Sequence, residues 1–395
     1  MATDVNSAKD HSKSVGAKDV VLVVISTLAV FLLVALIVAK RSPNGEATWL
    51  SLSPDTEMYV KMVVGAKASP PFAYRRLVPF IASLIPFSPV QALGAITLGS
   101  LLAGYGILSW ILVSQLQLRR VAACLALVAV MTSTRGLLII QNPYIIDGFS
   151  FLVMTIMLAA FLRDSSGTFG AAAIIGILAR EDCVFGVFGF VASAGRRRAR
   201  ASIVVALSAA VAYVLPRLGH GRASLGFLGL SQIVHASYYA KAYFAFGILW
   251  PMALGGLLVA RGSKWNRLLP YSACAFAGSI VSTFFAVDTT RMFLPMLPLV
   301  AVGCGLVFDR LLDRPALVVA WAAILLSNVG LAVPTVFSPQ AIQHMKELEE
   351  WYVLLAIPIV TQQVCGLALV AFSARAVVAQ SAVPRRSQSL VDGSA

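Results

Sequence analysis

The sequence predicts an all-α, polytopic transmembrane bundle of about 12 spans, and three observations carry that reading. Hydrophobic residues make up 59% of the 395 and charged residues only 12%, with a mean hydropathy of +0.85. Apolar runs near the ~20 residues that a helix needs to cross a bilayer recur from Val20 toward the C-terminus. Strict period-two alternation is absent, which disfavours a transmembrane β-barrel.

The net charge of +14 raises nucleic acid as a partner. The basic residues sit in short clusters between apolar runs, where they set topology and meet anionic headgroups, so no nucleic-acid partner is expected. Five cysteines (Cys124, Cys183, Cys274, Cys304, Cys365) are odd in number and widely spaced, a pattern of neither a disulfide framework nor a metal centre.

Taken in order, residues 1–19 form a polar, cytoplasmic N-terminal tail, and the apolar run from Val20 to Ala39 is a retained first span rather than a signal peptide. A first extracytoplasmic loop follows at about 42–89, holding a half-length apolar piece from Leu77 to Phe87. Spans are then predicted at about 90–116, 121–137 and 146–162. Two pieces of about 12 residues, 168–179 and 183–194, flank Arg180, Glu181 and Asp182. Each is shorter than the ~20 residues of a full span, so the two are either tilted into a thinned region or meet partway across, and their turn is a candidate cavity wall. Further spans are predicted at about 201–216, 242–260, 268–287, 292–308, 315–334 and 352–373, with an acidic amphipathic loop at 335–351. The transmembrane domain is thus 20–373, and 374–395 is a disordered, basic cytoplasmic tail.

An even span count puts both termini on one side, which collects Arg119, Arg120, Arg163, the Arg196 to Arg200 run, Arg261, Lys264, Arg267, Arg310 and Arg314. By the positive-inside rule that side is cytoplasmic, with Lys40, Arg41, Arg217 and Lys241 as violations. Asp55, Glu57, Arg75, Arg76, Asp147, Arg180, Glu181, Asp182, Asp288 and Arg291 then share the extracytoplasmic face. An acid near hydrocarbon depth costs on the order of 2.5 to 3.5 kcal/mol and is expected to face a cavity or a partner. Plainer readings stay open: Asp288 and Arg291, three apart, can pair locally, and Asp147 can be a wetted interfacial acid.

Residues 51–86 concentrate this chemistry. Met58, Tyr59, Met62 and Val63 give the apolar spacing of an amphipathic helix lying in the interface, with Asp55, Glu57 and Lys61 at or near its wet face. After it, SPPFAYRRLVP sets Arg75 and Arg76 beside Tyr74. Guanidinium forks suit phosphate, and aromatics suit both sugar faces and the headgroup boundary. Membrane anchoring by the same residues is the alternative.

An acid just after the first span, an amphipathic helix in that loop, the P-F-x-Y-R-x-L-x-P string, the Arg180-Glu181 turn and the D-x-x-R string at 288–291 together resemble the GT-C superfamily of polyprenyl-phosphate-sugar-dependent glycosyltransferases, and also resemble bacterial multi-pass proteins described as glycosyltransferases. The resemblance implies a GT-C-like bundle in a bacterial inner membrane. It implies transfer of a sugar from a polyprenyl-phosphate donor to an extracytoplasmic glycan, lipid or protein acceptor of the cell envelope, with inversion. It makes Asp55 the general base, with Glu57 as next choice. Arg75, Arg76, Arg180 and Arg291 become phosphate contacts, and Tyr74, Asp147, Glu181 and Asp288 complete the substrate site. The family's loop carries D-E or D-x-D where this chain has Asp55-Thr56-Glu57, so no cofactor is assigned and divalent-metal use stays open. The competing class is a multi-pass transporter or lipid-linked-sugar flippase, which predicts an inverted repeat that the sequence does not display. An acyltransferase built on His235 is weaker, because a lone histidine beside tyrosines is more often interfacial.

Overall fold

The structure, a computed structural model, describes residues 17–40, 54–68, 70–142, 144–195, 198–218, 242–243, 245–259, 266–283 and 289–314, with scattered positions between 318 and 371. Among them every regular element is helical. Four helices are long and apolar enough to cross a bilayer: Ala17–Ile37, Pro89–Gln115, Ala199–Arg217 and Leu294–Leu311. The spans at 315–334 and 352–373, the 335–351 loop, the basic tail, His235 and Asp288 lie outside the described residues, apart from scattered positions in those two spans.

The distribution of polarity is that of a protein whose solvent is lipid. Leu22, Ile25, Leu32 and Leu36 on α1 (Ala17–Lys40) are exposed, while Arg135, Asp147 and Arg180 are buried. An apolar exterior is favourable in hydrocarbon, and buried charges there are expected to be paired.

The first loop is folded. Helix α2 (Pro54–Val63) starts with proline in its first turn and carries acids early and Lys61 late, matching the helix dipole. A 3-10 turn, Phe72–Tyr74, and α3 (Leu77–Ser83) follow. A small core of Tyr59, Val78, Ala82, Leu93, Ile145, Ile146 and Ala179 fastens this loop onto the ends of the longer helices. The next helix, α4 (Pro89–Trp110), opens on a capping box in which Ser88 and Gln91 each accept from the other's backbone. It closes in a π turn at Ile111–Gln115.

The run at 121–137, expected as one span, is broken. Helices α5 (Arg120–Met131) and α6 (Thr134–Gln141) meet at 66°. The cause is local: Ser133 Oγ accepts from Gly136 N at 3.1 Å and starts a new helix. A Cβ on Gly136 would fall 2.2 Å from the Val130 carbonyl, so only glycine allows the bend.

Helix α7 (Asp147–Leu162) falls where a span was expected. The expected half-length pair is present as α8 (Ser166–Ala179) and α9 (Val184–Ala192), joined by an extended Arg180 and a 3-10 turn at Glu181–Cys183. At 1.5 Å per residue these helices are about 21 and 14 Å long, short of a ~30 Å hydrocarbon core. Beyond them come α10 (Ala199–Val214), α11 (Leu249–Val259), α12 (Leu268–Thr283), the single turn α13 (Thr289–Met292) and α14 (Leu297–Leu311). Two of the expected spans, 242–260 and 292–308, are interrupted near their starts, the first by a turn at 245–248 before α11 and the second by a 3-10 turn at Leu294–Met296 before α14.

Helices α11 and α14 touch backbone to backbone. A Cβ on Gly303 would lie 2.3 Å from the Ala253 carbonyl, and one on Gly256 would lie 1.9 Å from that of Gly303. Small residues permit such approach in membranes, where van der Waals packing replaces hydrophobic burial between helices. Gly303→Leu is therefore expected to lower the melting temperature in detergent by several degrees, an overpacking cost of about 1–3 kcal/mol. Gly99→Ala, whose Cβ would meet nothing within 4 Å, is expected to leave it unchanged or raise it slightly.

Candidate functional site

The loop and the ends of α6, α7, α8 and α13 converge on a network of charged side chains. Its centre is Asp147, the first residue of α7, with a fully buried side chain. Arg135 Nη2 and Arg180 Nη1 donate to it. Arg291 donates through Nε to Oδ2 at 3.2 Å and through Nη2 to Oδ1 at 3.1 Å. Three guanidiniums therefore surround one carboxylate. Ions buried this completely need a full set of partners.

Two peripheral carboxylates extend the network. Arg291 Nη1 donates to Asp55 Oδ2, which ties α2 to α13. Arg75 donates through Nε and Nη2 to Glu181, which ties the 3-10 turn of the loop to the α8–α9 turn. Arg75 Nη1 also reaches the Tyr59 hydroxyl at 3.3 Å. Tyr59 is buried and meets Phe72 edge to face. Arg180 is committed further: Nε lies 2.8 Å from Asp182, and Nη2 donates to the Arg291 carbonyl at 3.1 Å.

The electrostatics follow from this geometry. Burial would raise the Glu181 carboxyl, but the Arg75 guanidinium outweighs it and holds the group down at about 2. Burial does win at Asp182, whose pKa is raised despite Arg180.

Of the residues singled out from the sequence, Asp55, Arg75, Asp147, Arg180, Glu181 and Arg291 come together, although they are drawn from segments far apart in the chain. Glu57 does not join them. It is exposed on α2. At 100° per residue, Asp55 and Glu57 point to nearly opposite sides of the helix, while Asp55 shares a face with Tyr59 and Glu57 shares one with Lys61. Placing Asp55 on the wet face with the other two is therefore corrected. Arg76 is also outside: it is exposed, and its Nε turns back to the Ala73 carbonyl at 2.9 Å. Tyr74 is half-buried with the Arg217 guanidinium 4.5 Å above its ring.

Arg135 and Tyr59 belong to the site and were not foreseen. A signal for Arg135 existed, since an arginine inside an apolar run needs a buried partner and the preceding Thr132-Ser133-Thr134 marks a helix break. Tyr59 carried no signal beyond its place on the apolar side of α2.

A second charged set lies at the far end of α7 and at ends of α1, α5, α10, α12 and α14. Arg119 binds Asp309 at 2.8 and 3.1 Å and Asp313 at 2.6 Å. Asp164 pairs with Arg198 at 2.6 Å and with Arg267, and Arg120 pairs with Asp19. Helix α7, about 24 Å long at 1.5 Å per residue, separates Asp147 from Asp164. The charges are thus sorted to two ends, with apolar helix between.

Among the described residues, no three His, Cys, Asp or Glu side chains gather as metal ligands would. Asp55, Asp147 and Glu181 are each turned to a guanidinium, so these donors do not fit a divalent cation. No family model matches the chain, and no curated protein or solved structure is detectably similar to it.

Removing the central acid exposes its partners to one another. Asp147→Ala is expected to cost on the order of 3–5 kcal/mol, read as loss of the monodisperse peak in detergent, whereas Asp55→Asn at the rim is expected to shift the melting temperature by a few degrees at most. The Glu181 pair gives a pH signature. Its carboxyl is depressed from the ordinary 4.5 to about 2 in the folded protein, so the stabilisation it brings is complete above the ordinary value and disappears as pH falls toward the depressed one. Between pH 6 and 3 the wild-type melting temperature should fall more steeply than that of Glu181→Gln.

Proposed function

We propose that this chain is a membrane glycosyltransferase that moves a sugar from a polyprenyl-phosphate donor to an acceptor hydroxyl, with inversion. The observation that carries the reading is the pairing of Asp55 with Arg291 at the edge of the buried Asp147 network, which also holds Arg180, with the Arg75–Glu181 pair beside it. Such a transfer needs a carboxylate to accept the hydroxyl proton, worth roughly 10²- to 10⁴-fold, and fixed cations where the leaving phosphate gathers charge.

In this reading Asp55 is the base. It is the loop acid beside the guanidiniums, and at 31% exposure it can still be reached by an acceptor. Arg75 and Arg291 at the rim take the phosphate. Asp147 and Arg180 hold Arg291 in place from beneath, with Arg135 on the same acid, and Glu181 holds Arg75. Tyr59 orients Arg75. Topology completes the proposal: about twelve spans in a bacterial inner membrane, with the network toward the extracytoplasmic face and the Arg119, Arg120, Arg198 and Arg267 end toward the cytoplasm, in line with the positive-inside rule.

A transporter or flippase would also bury paired charges at broken helices, and the bent α5–α6 pair has that character. Transfer of radiolabelled sugar from polyprenyl-phosphate donors to envelope acceptors, by purified protein in proteoliposomes, decides between the two. Asp55→Asn should lower transfer at least 100-fold with folding intact, and Glu57→Gln should retain it. Full transfer by Asp55→Asn would remove Asp55 as base, and donor movement across the bilayer without transfer would favour the transporter.

A further inference from the structure

Asp55 as described cannot act as a base at once, because its carboxylate is occupied by Arg291. The two acids on Arg291 are not equivalent. Asp147 takes Nε and Nη2 with both of its oxygens and is 0% exposed, whereas Asp55 takes Nη1 alone and is 31% exposed. Asp147 also holds Arg135 and Arg180, so displacing it would take a shared partner from three buried cations at once. Displacing Asp55 strands none: Arg291 keeps Asp147, and Asp55 is free to turn toward solvent from a helix fastened by the small core around Tyr59. An arginine fork presents the same donors to a phosphate as to a carboxylate.

We infer that Asp55 is the exchangeable counter-ion of a phosphate subsite on Arg291, which takes the phosphodiester of the lipid-linked donor and then the phosphate monoester left after transfer, so that arrival of the phosphate releases the carboxylate that the reaction needs. The ligand class rests on the glycosyltransferase reading; the exchange itself rests on the two-sided geometry of Arg291. In the transfer step the freed Asp55 carboxylate accepts the acceptor O–H proton while the acceptor oxygen bonds to the anomeric carbon. The bond from that carbon to the phosphate oxygen breaks, and its electron pair leaves on the phosphate at Arg291. The base is thereby held inert until a donor is seated, which limits loss of sugar to water.

The exchange predicts a tightening that a simple structural role for Asp55 does not. Binding of geranylgeranyl phosphate, geranylgeraniol and inorganic phosphate to the full chain in detergent is measured for wild type, Asp55→Asn, Arg291→Gln and the exposed loop variant Lys67→Gln. Without its competing carboxylate, Asp55→Asn should bind the phosphate lipid about three- to tenfold more tightly than wild type, with the alcohol unchanged. Arg291→Gln should lose tenfold or more, and Lys67→Gln should match wild type. Should Arg291→Gln not survive extraction, Asp55→Ala provides the second reading, again as tightening. Equal or weaker binding by Asp55→Asn overturns the exchange. Tightening for inorganic phosphate with none for the lipid overturns the lipid as the source and leaves free phosphate as the occupant. Tightening as expected in a protein that transfers no sugar overturns the glycosyltransferase reading alone.

Discussion

One carboxylate sets the terms for this fold. Asp147 has no exposure, and an ion so placed survives only if its neighbours replace the water it has lost. Three guanidiniums do so, and each comes from a different element: the start of α6, the end of α8 and the turn of α13. Satisfying Asp147 therefore fixes three helix ends relative to α7. The first loop is added as an outer layer through Asp55 and Glu181, where pairs are part exposed and the cost of parting them is smaller.

This layering explains why irregular backbone is tolerated. The bend between α5 and α6 presents Arg135 to Asp147, and the extended Arg180 ends α8 early so that its side chain reaches the same acid. Broken helices leave backbone groups without intrahelical partners, which is acceptable only against other protein. Here the breaks are answered by Ser133 at the start of α6, by Ala245, whose carbonyl accepts from Arg135 N at 3.0 Å, and by the Arg291 carbonyl, which receives Arg180.

The sequence made the helical class legible, together with the half-length pair at 166–192 and the gathering of acids and arginines at one end. Those follow from apolar run length and from the cost of charge in hydrocarbon, both properties of composition along the chain. The break at Thr132 to Ser133 was not seen because average hydropathy hides a polar triplet flanked by long apolar runs. Arg135 was lost with it. The choice between Asp55 and Glu57 was legible in principle, since helical phase alone separates them, but their closeness in sequence obscured it. That Arg76 turns outward while Arg75 turns inward depends on the loop's 3-10 turn, and a pair of adjacent arginines carries no mark of which one a turn will bury.

The separations within the network also bear on how such a protein enters a membrane. Arg135 and Asp147 are 12 residues apart, and Arg180 follows 33 residues after Asp147. Arg291 is 144 residues beyond it. Synthesis thus delivers the acid and its first cation close together along the chain, so the two can pair before the rest of the network exists. The last cation arrives much later and also meets Asp55, made 236 residues earlier. The site is completed only when most of the bundle has been inserted, and a truncated chain carries a sheltered acid without a finished centre.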